Sequence, residues 1–214
     1  MIDKENEVFE KITDHLIRDE FPSKYLNQES MEPLFQEYPL SLLLKLKKTE
    51  QSKKYHPEGN VWNHTMMVVD QAAKVKHRSS DERAFMWAAL LHDIGKPGTT
   101  RVRKGRITSY DHDKVGAKIS SDFLRVYTRD EDFIKRVCAL VRYHMHMLYV
   151  LKELPFGDIM NLLKEVDIQD IALLSLCDRL GRTSADLALE EESYRTYLKK
   201  LEEAKAKVLQ LNTF

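Results

Sequence analysis

The chain has 214 residues, of which 43% are hydrophobic and 32% charged, and its 34 basic and 34 acidic side chains give a formal net charge of +0. This length suits one domain, with or without a helical extension. Only 7 Gly and 6 Pro residues argue against a loop-rich β fold and against a disordered chain. The balanced charge argues against nucleic-acid binding through the whole surface and leaves only a local basic patch open.

The cysteine usage and the N-terminus both indicate an intracellular protein. Cys138 and Cys177 lie in apolar helical runs ("KRVCALV" and "LLSLCDRL"), where a cysteine is typically a small core residue and not half of a disulfide. The N-terminus is charged from its third residue, and no apolar stretch approaches the roughly 20 residues of a membrane span. We therefore expect a cytoplasmic protein that does not contact a membrane.

Helical spacing of apolar residues dominates the first half of the chain. It predicts helices over 4–20, 39–48 and 61–78. A further helix, "ERAFMWAALLHDI", follows Asp81, which suits an N-cap, and Gly95 fits its C-terminal stop.

The exception to the helical pattern is "TTRVRKGRITSYD" (99–111), where two β-branched runs flank Lys104 and Gly105. This pattern predicts a small hairpin near residues 100–109. Helices resume at about 112–128, 131–145, 156–164, 167–181 and 188–210. The predicted fold class is all-α with one small β-hairpin.

The predicted elements divide the chain into three parts. These are an N-terminal helical extension (1–38), a central domain (39–185) and a C-terminal helix that packs on the domain (186–214). The last helix is charged and amphipathic, so it suits packing on its own domain or contact with a second copy. A monomer and a homodimer both remain open.

Several polar residues lie where apolar side chains point into the core. His64 shares a helix face with Val68, and His92, Asp93 and Asp178 also lie in apolar helical runs. A single inward histidine is more often a hydrogen-bonded core residue than a ligand. Two histidines and two carboxylates together suit a divalent ion with mixed nitrogen and oxygen ligands, such as Mn, Fe, Co, Ni or Zn. Mg is a further candidate.

Five segments together resemble the HD domain of the metal-dependent HD phosphohydrolase superfamily, in particular the one attached to bacterial tRNA nucleotidyltransferases (CCA-adding enzymes). They are "KYHPEGNVWNHTMMVVD" (54–70), "ALLHDIGKP" (89–97), "DHDKVGAKIS" (111–120), "LVRYHM" (140–145) and "DRLGR" (178–182). The resemblance covers roughly 40–185 and implies an HD-domain helical bundle. Nothing in these 214 residues resembles a nucleotidyltransferase catalytic domain, so the resemblance suggests an HD module alone and does not imply CCA addition.

The resemblance implies a set of metal ligands. His64, His92, Asp93 and Asp178 match the first metal site of the family. In members with two metals, additional histidines join and the aspartate of the HD pair bridges the ions. The matching candidates here are His112 and His144. His144 matches the family position better than His146, and whether one ion or two bind stays open.

The residues around this ligand set suggest a chemistry. Asp93 could accept the proton of an attacking water, and Lys96 could offset charge that develops on a phosphoryl group. Candidate phosphate-binding residues are Arg101 and Arg103 on the hairpin, within a segment 96–106 without acidic residues, and Arg182, one helical turn after Asp178. An ordinary solvated hairpin is the alternative for this segment, and Arg182 could instead pair with a neighbouring carboxylate. His56 lies near the site in the family pattern and suits a substrate contact.

These residues predict a metal-dependent phosphohydrolase that acts on phosphomonoesters or phosphodiesters, with 2′,3′-cyclic phosphates included. Its partner would be a phosphorylated small molecule, a nucleotide or an RNA end. Three alternatives stay open: an HD-fold di-iron oxygenase, a non-catalytic nucleotide-binding regulatory module and a deoxynucleotide triphosphohydrolase. The first shares the ligand set, but the tRNA-enzyme resemblance and the basic hairpin argue against it.

Overall fold

The computed structural model describes the backbone of residues 2–211 and the side chains of residues 7–211. Met1 and residues 212–214, which end the predicted terminal parts, lie outside the described residues. The α-helices are α1 Ile2–Arg18, α2 Pro22–Glu29, α3 Ser41–Leu44, α4 Val61–Val75, α5 Glu82–Leu91, α6 Lys96–Thr99, α7 His112–Tyr127, α8 Glu131–Tyr143, α9 His146–Leu151, α10 Ile159–Glu165, α11 Ile168–Leu180 and α12 Leu187–Leu211. Short 3₁₀ turns are Pro33–Gln36, Lys45–Lys48 and Lys76–Arg78.

The predicted all-α class with one hairpin is confirmed. Strands β1 (Arg101–Arg103) and β2 (Arg106–Thr108) pair antiparallel, with Val102 opposite Ile107. Lys104 and Gly105 both have positive φ, at 49° and 74°. Two consecutive left-handed residues form the tight turn of a two-residue hairpin, because the twist of this turn matches the right-handed twist of the two strands.

Side-chain caps fix where the helices around the core begin. The side chains of Asn60 and Asp81 accept hydrogen bonds from the amides of Asn63 and Ala84, three residues later. The predicted N-cap at Asp81 is therefore confirmed. Such caps satisfy amide groups that the first helical turn leaves without partners.

The end of the helix after Asp81 differs from the prediction. Helix α5 ends at Leu91, and residues 92–95 form a turn before the short α6. Gly95 has a φ of −79°, so it does not provide a left-handed stop. A Cβ on this residue would lie 2.1 Å from the carbonyl oxygen of His112 and 2.6 Å from the amide nitrogen of Gly116. Glycine is needed here because the start of α7 packs directly against this turn.

Three other differences concern short elements. Helix α2 was not predicted, and Pro22 begins it at a position that tolerates a missing amide hydrogen. Helix α9 was not predicted: the helix expected over 131–145 ends at Tyr143, and a turn at His144 and Met145 separates it from α9. Helix α10 begins at Ile159 and not near 156, because Asp158 caps it.

One hydrophobic core joins the parts of the chain. Helices α4, α5, α8 and α11 pack against one another, α1 and α2 cover α4 and α5, and α12 lies along α11. Phe9, Ile12 and Leu16 of α1 and Tyr197 of α12 belong to the same buried cluster as Trp87 of α5. Cys138 and Cys177 are free thiols. Among the helices of residues 2–211, none is long and apolar enough to cross a membrane.

Candidate metal centre

Helix ends bring the predicted ligands to one place inside the bundle. Helix α4 supplies His64, the turn after α5 supplies His92 and Asp93, and α11 supplies Asp178. The first residue of α7 and the residue that follows α8 supply the last two candidate ligands, His112 and His144. All six residues are buried, with between 0% and 8% of their surface exposed.

Three of these histidines are held by the same local hydrogen bond. Nδ1 of each ring lies close to the carbonyl oxygen of the residue three positions earlier. The distances are 2.8 Å for His92 to Ala89, 2.7 Å for His112 to Ser109 and 2.7 Å for His144 to Val141. A carbonyl oxygen only accepts, so Nδ1 carries the proton and donates it. In the neutral form of such a ring, Nε2 keeps a free lone pair.

The free Nε2 atoms converge on the Asp93 carboxylate. Oδ2 of Asp93 lies 3.3 Å from Nε2 of His92, whereas Oδ1 lies 3.4 Å from Nε2 of His112 and 3.9 Å from Nε2 of His144. The ligand atoms form two adjacent groups, His64–His92–Asp93 and Asp93–His112–His144, with all atoms of a group within 4.8 Å of one another. Asp93 is common to both groups.

The donor set fits one or two divalent transition-metal ions. Nε2 of His92 is buried and has no hydrogen-bond partner among the residues that the structure describes. Nε2 of His112 and Nε2 of His144 lie only 3.1 Å apart, which brings two lone pairs together in the neutral rings. Buried polar atoms normally have partners, and a divalent cation is a partner that these atoms fit. Imidazole nitrogen mixed with carboxylate oxygen suits Mn, Fe, Co, Ni or Zn.

A buried carboxylate that the sequence analysis missed supports His64. Nε2 of His64 lies 2.9 Å from Oδ1 of Asp178, and its Nδ1 lies 3.0 Å from Oε1 of Glu58. The same Glu58 oxygen lies 2.8 Å from Nδ1 of His56. Burial opposes charge on Glu58, but hydrogen bonds from His64 and His56 lower its pKa to about 2. Glu58 lies within the "HPEG" stretch of a matched segment, yet nothing in its spacing identified it as a partner of His64.

The two inward aspartates stay ionised. Burial raises the pKa of Asp93, but the Lys96 ammonium and the His92 ring outweigh burial and hold that pKa well below its usual range. Burial likewise opposes charge on Asp178, whereas the hydrogen bond from His64 and the nearby Arg182 lower its pKa strongly. Ionised carboxylates are the form that binds a metal ion.

The histidines differ in how they titrate. Burial lowers the pKa of His64, but hydrogen bonds to Asp178 and Glu58 raise it above its usual value overall. Burial, with His112 and His92 beside it, lowers the pKa of His144 to about 4. His144 is therefore neutral at physiological pH, as a metal-ligating imidazole must be.

Lys96 places a cation beside the shared carboxylate. It is 8% exposed, and its Nζ lies 2.7 Å from Oδ2 of Asp93 and 2.7 Å from Oε1 of Gln51. Gln51, a residue that the sequence analysis missed, is also buried. Its side-chain amide nitrogen has no hydrogen-bond partner within residues 7–211. The pair presents fixed hydrogen-bond donors next to the candidate metal groups.

A cleft of about 1040 Å³ opens onto this centre. Of the predicted residues, it is lined by His56, Asp93, Lys96, Arg103, His112, His144, Asp178 and Arg182. Nη2 of Arg182 lies 3.8 Å from Oδ1 of Asp178. His64 and His92 lie beneath the cleft. Arg101 is exposed on the hairpin outside the lining, where its guanidinium donates to the carbonyl oxygen of Thr100.

The cleft also exposes an arginine that the sequence analysis missed. Arg142 lies two residues before His144, and its guanidinium donates to the buried Asp113 carboxylate over 2.6 Å. Arg142 lines the cleft beside His112 and His144. Its position in the matched "LVRYHM" segment was the available signal.

The structure separates His144 from its competitor His146. His144 lies in the ligand cluster, whereas Nε2 of His146 accepts a hydrogen bond from the Asp158 amide over 3.1 Å. Burial, with Arg142 nearby, lowers the pKa of His146 to about 4. His146 therefore links α9 to the start of α10.

Comparisons with known proteins agree on the part of the chain that holds this centre. A family model described as HD domain matches residues 61–183. The Multifunctional CCA protein of Actinobacillus pleuropneumoniae is 30% identical over 121 residues, which cover 55% of this chain and 28% of that protein. Its counterpart in Pasteurella multocida is 29% identical over 141 residues, covering 61% and 32%. The A-adding tRNA nucleotidyltransferase of Deinococcus radiodurans is 33% identical over 91 residues, covering 42% and 20%. The chain thus spans a third or less of the length of each of these relatives.

Proposed function

This chain belongs to the HD domain family, and from that premise we propose that it is a metal-dependent phosphohydrolase for phosphate esters of nucleotide type. The proposal covers phosphomonoesters and phosphodiesters, including 2′,3′-cyclic phosphates, of nucleotides or nucleic-acid ends. One observation carries it: buried imidazoles aim free Nε2 atoms at Asp93, directly beneath a cleft that also holds cationic side chains. The relative named as an A-adding tRNA nucleotidyltransferase supports the substrate class.

Two overlapping ligand groups would hold the metal. His64, His92, Asp93 and Asp178 would bind one ion, and Asp93, His112 and His144 a second. A divalent ion bound there would lower the pKa of a coordinated water and polarise a phosphoryl oxygen. Asp93 stays ionised and buried, so its carboxylate can accept the proton of the attacking water. Mn, Ni, Co, Fe and Zn suit these donors, and Mg is a further candidate.

The cations of the cleft would bind the phosphate group. The Nζ atom of Lys96 is fixed between Asp93 and Gln51, so it can meet charge that develops on a phosphoryl oxygen without first having to be ordered. Arg142 and Arg182 line the cleft near the two ligand groups and can donate to further phosphate oxygens. These three cations are the feature that favours a phosphate ester over other substrates.

His56 would contact the remainder of the substrate. It lines the cleft, and Glu58 holds it through Nδ1. Burial, with Lys96 as the next cause, lowers the pKa of His56 to about 4, so this ring is neutral at physiological pH. Its Nε2 can then accept a hydrogen bond, for example from a ribose hydroxyl.

One observation favours a second candidate function, a di-iron oxygenase of the same fold. Asp93 is shared by both ligand groups, and a bridging carboxylate also suits a pair of iron ions. The cations around the cleft argue for the phosphohydrolase instead. Stoichiometric iron together with oxygen consumption would favour the oxygenase.

The test joins metal analysis to hydrolysis. Protein purified without chelator is analysed for metal content and then assayed with Mn, Ni, Co, Zn, Fe or Mg. The substrates are a 2′,3′-cyclic mononucleotide, a 3′-mononucleotide and a simple aryl phosphate. We expect metal-stimulated hydrolysis that is lost in Asp93→Ala and Lys96→Ala and kept in Lys48→Ala, a lysine outside the cleft.

Two results would contradict the proposal. If metal-loaded protein hydrolyses none of these esters, the phosphohydrolase assignment fails, and nucleotide binding without turnover would support a regulatory module. If no metal binds even after reloading, the histidine cluster is a structural feature of the core.

A further inference from the structure

The cleft is larger than the phosphate group that the proposed reaction needs. Pockets for small organic ligands measure about 300–1,000 Å³. The volume here is about 1040 Å³ and is continuous from the ligand groups to the hairpin and the α9–α10 connection. There is room beyond the reacting phosphate for more than one nucleotide unit.

Aromatic side chains form the outer part of this cleft. We call Tyr110, Tyr149 and Phe156 the mouth; Tyr110 lies on the hairpin side and the other two lie around α9. Tyr110 is 63% exposed and Phe156 65% exposed, whereas Tyr149 is half-buried and contacts Phe156 edge-on at 5.6 Å. The metal chemistry uses none of these rings. Rings with open faces beside a phosphate site are suited to stacking on nucleobases.

The positive charge beside the mouth is available to a ligand. Arg101, Arg103, Lys104 and Arg106 form no ion pair within the described part of the chain. The guanidinium of Arg103 lies over the ring of Tyr110, at 5.2 Å from its centroid. Because the arginine covers one face of the tyrosine, the other face of the ring stays open beside the positive charge. A nucleobase can stack on that face while the arginine binds a neighbouring phosphate.

The acidic groups in the same region are already engaged. Asp113 is paired with Arg142, and Asp111 with Lys114 over 2.8 Å. Asp158 accepts hydrogen bonds at the start of α10 from the amide and side chain of Asn161. The net field at the mouth therefore favours an anionic ligand.

We propose that the mouth is a base-stacking subsite, so that the preferred substrate is the end of a single-stranded oligonucleotide and not a free mononucleotide. The terminal phosphate would lie at the ligand groups, the adjoining bases would stack on Tyr110 and Phe156, and the next phosphates would meet the hairpin arginines. A single strand fits because its unstacked bases can reach the rings. The choice of a scissile terminal phosphate rests on the proposed function; the stacking subsite does not.

The first experiment measures binding without catalysis. A 5′-fluorescein-labelled RNA tetranucleotide with a 3′-hydroxyl end, which offers no terminal phosphate to hydrolyse, is titrated with metal-loaded protein and followed by fluorescence anisotropy. We expect Tyr110→Ala and Phe156→Ala each to raise the Kd about 5- to 150-fold, the range for loss of one stacked base. Leu189→Ala, which removes an equally exposed apolar side chain from α12, should bind as the unaltered protein does.

The second experiment measures substrate length. The kcat/KM values are compared for a 2′,3′-cyclic mononucleotide and for a tetranucleotide with the same terminal group. We expect the tetranucleotide to be preferred at least tenfold and this preference to fall in Tyr110→Ala and Phe156→Ala. Arg103→Gln should reduce the dependence of log Kd on log salt by about 0.7, the value for one phosphate contact on a single strand.

The outcomes separate the two proposals. Tetranucleotide binding that depends on the mouth, without hydrolysis of any ester, would keep the stacking subsite and overturn the proposed function. Hydrolysis of all esters at similar kcat/KM, with unaltered binding in Tyr110→Ala and Phe156→Ala, would overturn the stacking subsite and leave the proposed function standing. A mononucleotide preference would also overturn the stacking subsite.

Discussion

Nε2 of His112 and Nε2 of His144 face each other at 3.1 Å inside the protein, while Nδ1 of both rings is committed to backbone carbonyl oxygens. Two free lone pairs at this distance repel each other unless a cation lies between them or a ring becomes protonated. Burial lowers the pKa of both rings, which makes protonation a costly solution. This relationship leads to the first prediction.

Removal of metal by a chelator should lower the thermal stability, and re-addition should restore it. An ion present at about 100 times its Kd stabilises the folded state by about 2.7 kcal/mol. For a chain of this size that corresponds to a rise in Tm of roughly 5–10 °C. Thermal unfolding followed by circular dichroism before and after chelation measures this change in Tm. The Tm of His112→Gln should change less on chelation than that of the unaltered protein. Superimposable melts with and without metal would contradict the prediction.

Substitution of His144 should reduce metal binding, whereas substitution of His146 should reduce stability. His144→Gln removes a lone pair from the ligand cluster, so metal content should fall while the fold is kept. His146→Gln disturbs the acceptor of the Asp158 amide, so the free energy of unfolding should fall by about 1–3 kcal/mol with metal content intact. Elemental analysis and denaturant melts on both variants check this contrast. Metal loss in His146→Gln alone would reverse the assignment.

Glu58→Gln should weaken metal binding, although Glu58 lies behind His64. The carboxylate orients the His64 ring through Nδ1 and increases the basicity of Nε2. Loss of such a partner typically costs 10- to 100-fold in metal affinity. Competition with a chromophoric chelator measures this, and Glu50→Gln at an exposed position is the matched control. Equal affinities for the two variants would show that Glu58 does not orient His64.

Gly95→Ala should destabilise the protein and disturb His112, whereas Gly98→Ala should not. A Cβ on Gly95 would lie 2.1 Å from the His112 carbonyl oxygen, but a Cβ on Gly98 meets nothing within 4 Å. Overpacking of this kind costs typically 1–3 kcal/mol, while alanine within α6 is neutral or stabilising by up to about 1 kcal/mol. Denaturant melts with metal analysis test both; a Gly95→Ala variant as stable as Gly98→Ala would contradict the packing explanation.

Deletion of residues 1–38 should prevent stable folding. Phe9, Ile12 and Leu16 are at most 1% exposed and pack in the common core. Each buried side chain of this size contributes about 1.5–3 kcal/mol, and these three together rival the 5–15 kcal/mol stability of a typical domain. Circular dichroism of the purified 39–214 fragment, beside the whole chain, is the measurement. A cooperative melt of the fragment near the Tm of the whole chain would instead support residues 1–38 as a separate extension.

Local physics made much of the fold predictable. The cap at Asp81 and the turn at Lys104–Gly105 depend on neighbouring residues, so the sequence alone identified both. Helix α9 was missed because its six residues, His146–Leu151, are too few to show a helical period. Gly95 was recognised as special for the wrong reason: backbone atoms of α7 exclude a side chain there, and the sequence around Gly95 does not show that contact.

The residues of the candidate site also divide into those that local sequence or the family resemblance predicted and those that depend on tertiary contacts. Helix faces showed that His64, His92 and Asp178 point inward, and the family resemblance added His112 and His144. The partners Glu58, Gln51 and Arg142 were missed because their roles depend on tertiary contacts, such as the 3.0 Å approach of Glu58 to His64. Arg101 is exposed outside the cleft lining, where its guanidinium donates to the carbonyl oxygen of Thr100.

Asp93 belongs to both ligand groups, so we expect metal binding at one group to be thermodynamically linked to binding at the other. If an ion bound at one group changes the affinity of the other group by some factor, an ion at the second group changes the affinity of the first by the same factor, because linkage is reciprocal. Substitutions on opposite sides, such as His92→Ala and His112→Ala, should therefore not add independently in metal affinity. Two metal ions bound at these groups would therefore behave as one cooperative unit, with a single carboxylate as the coupling element.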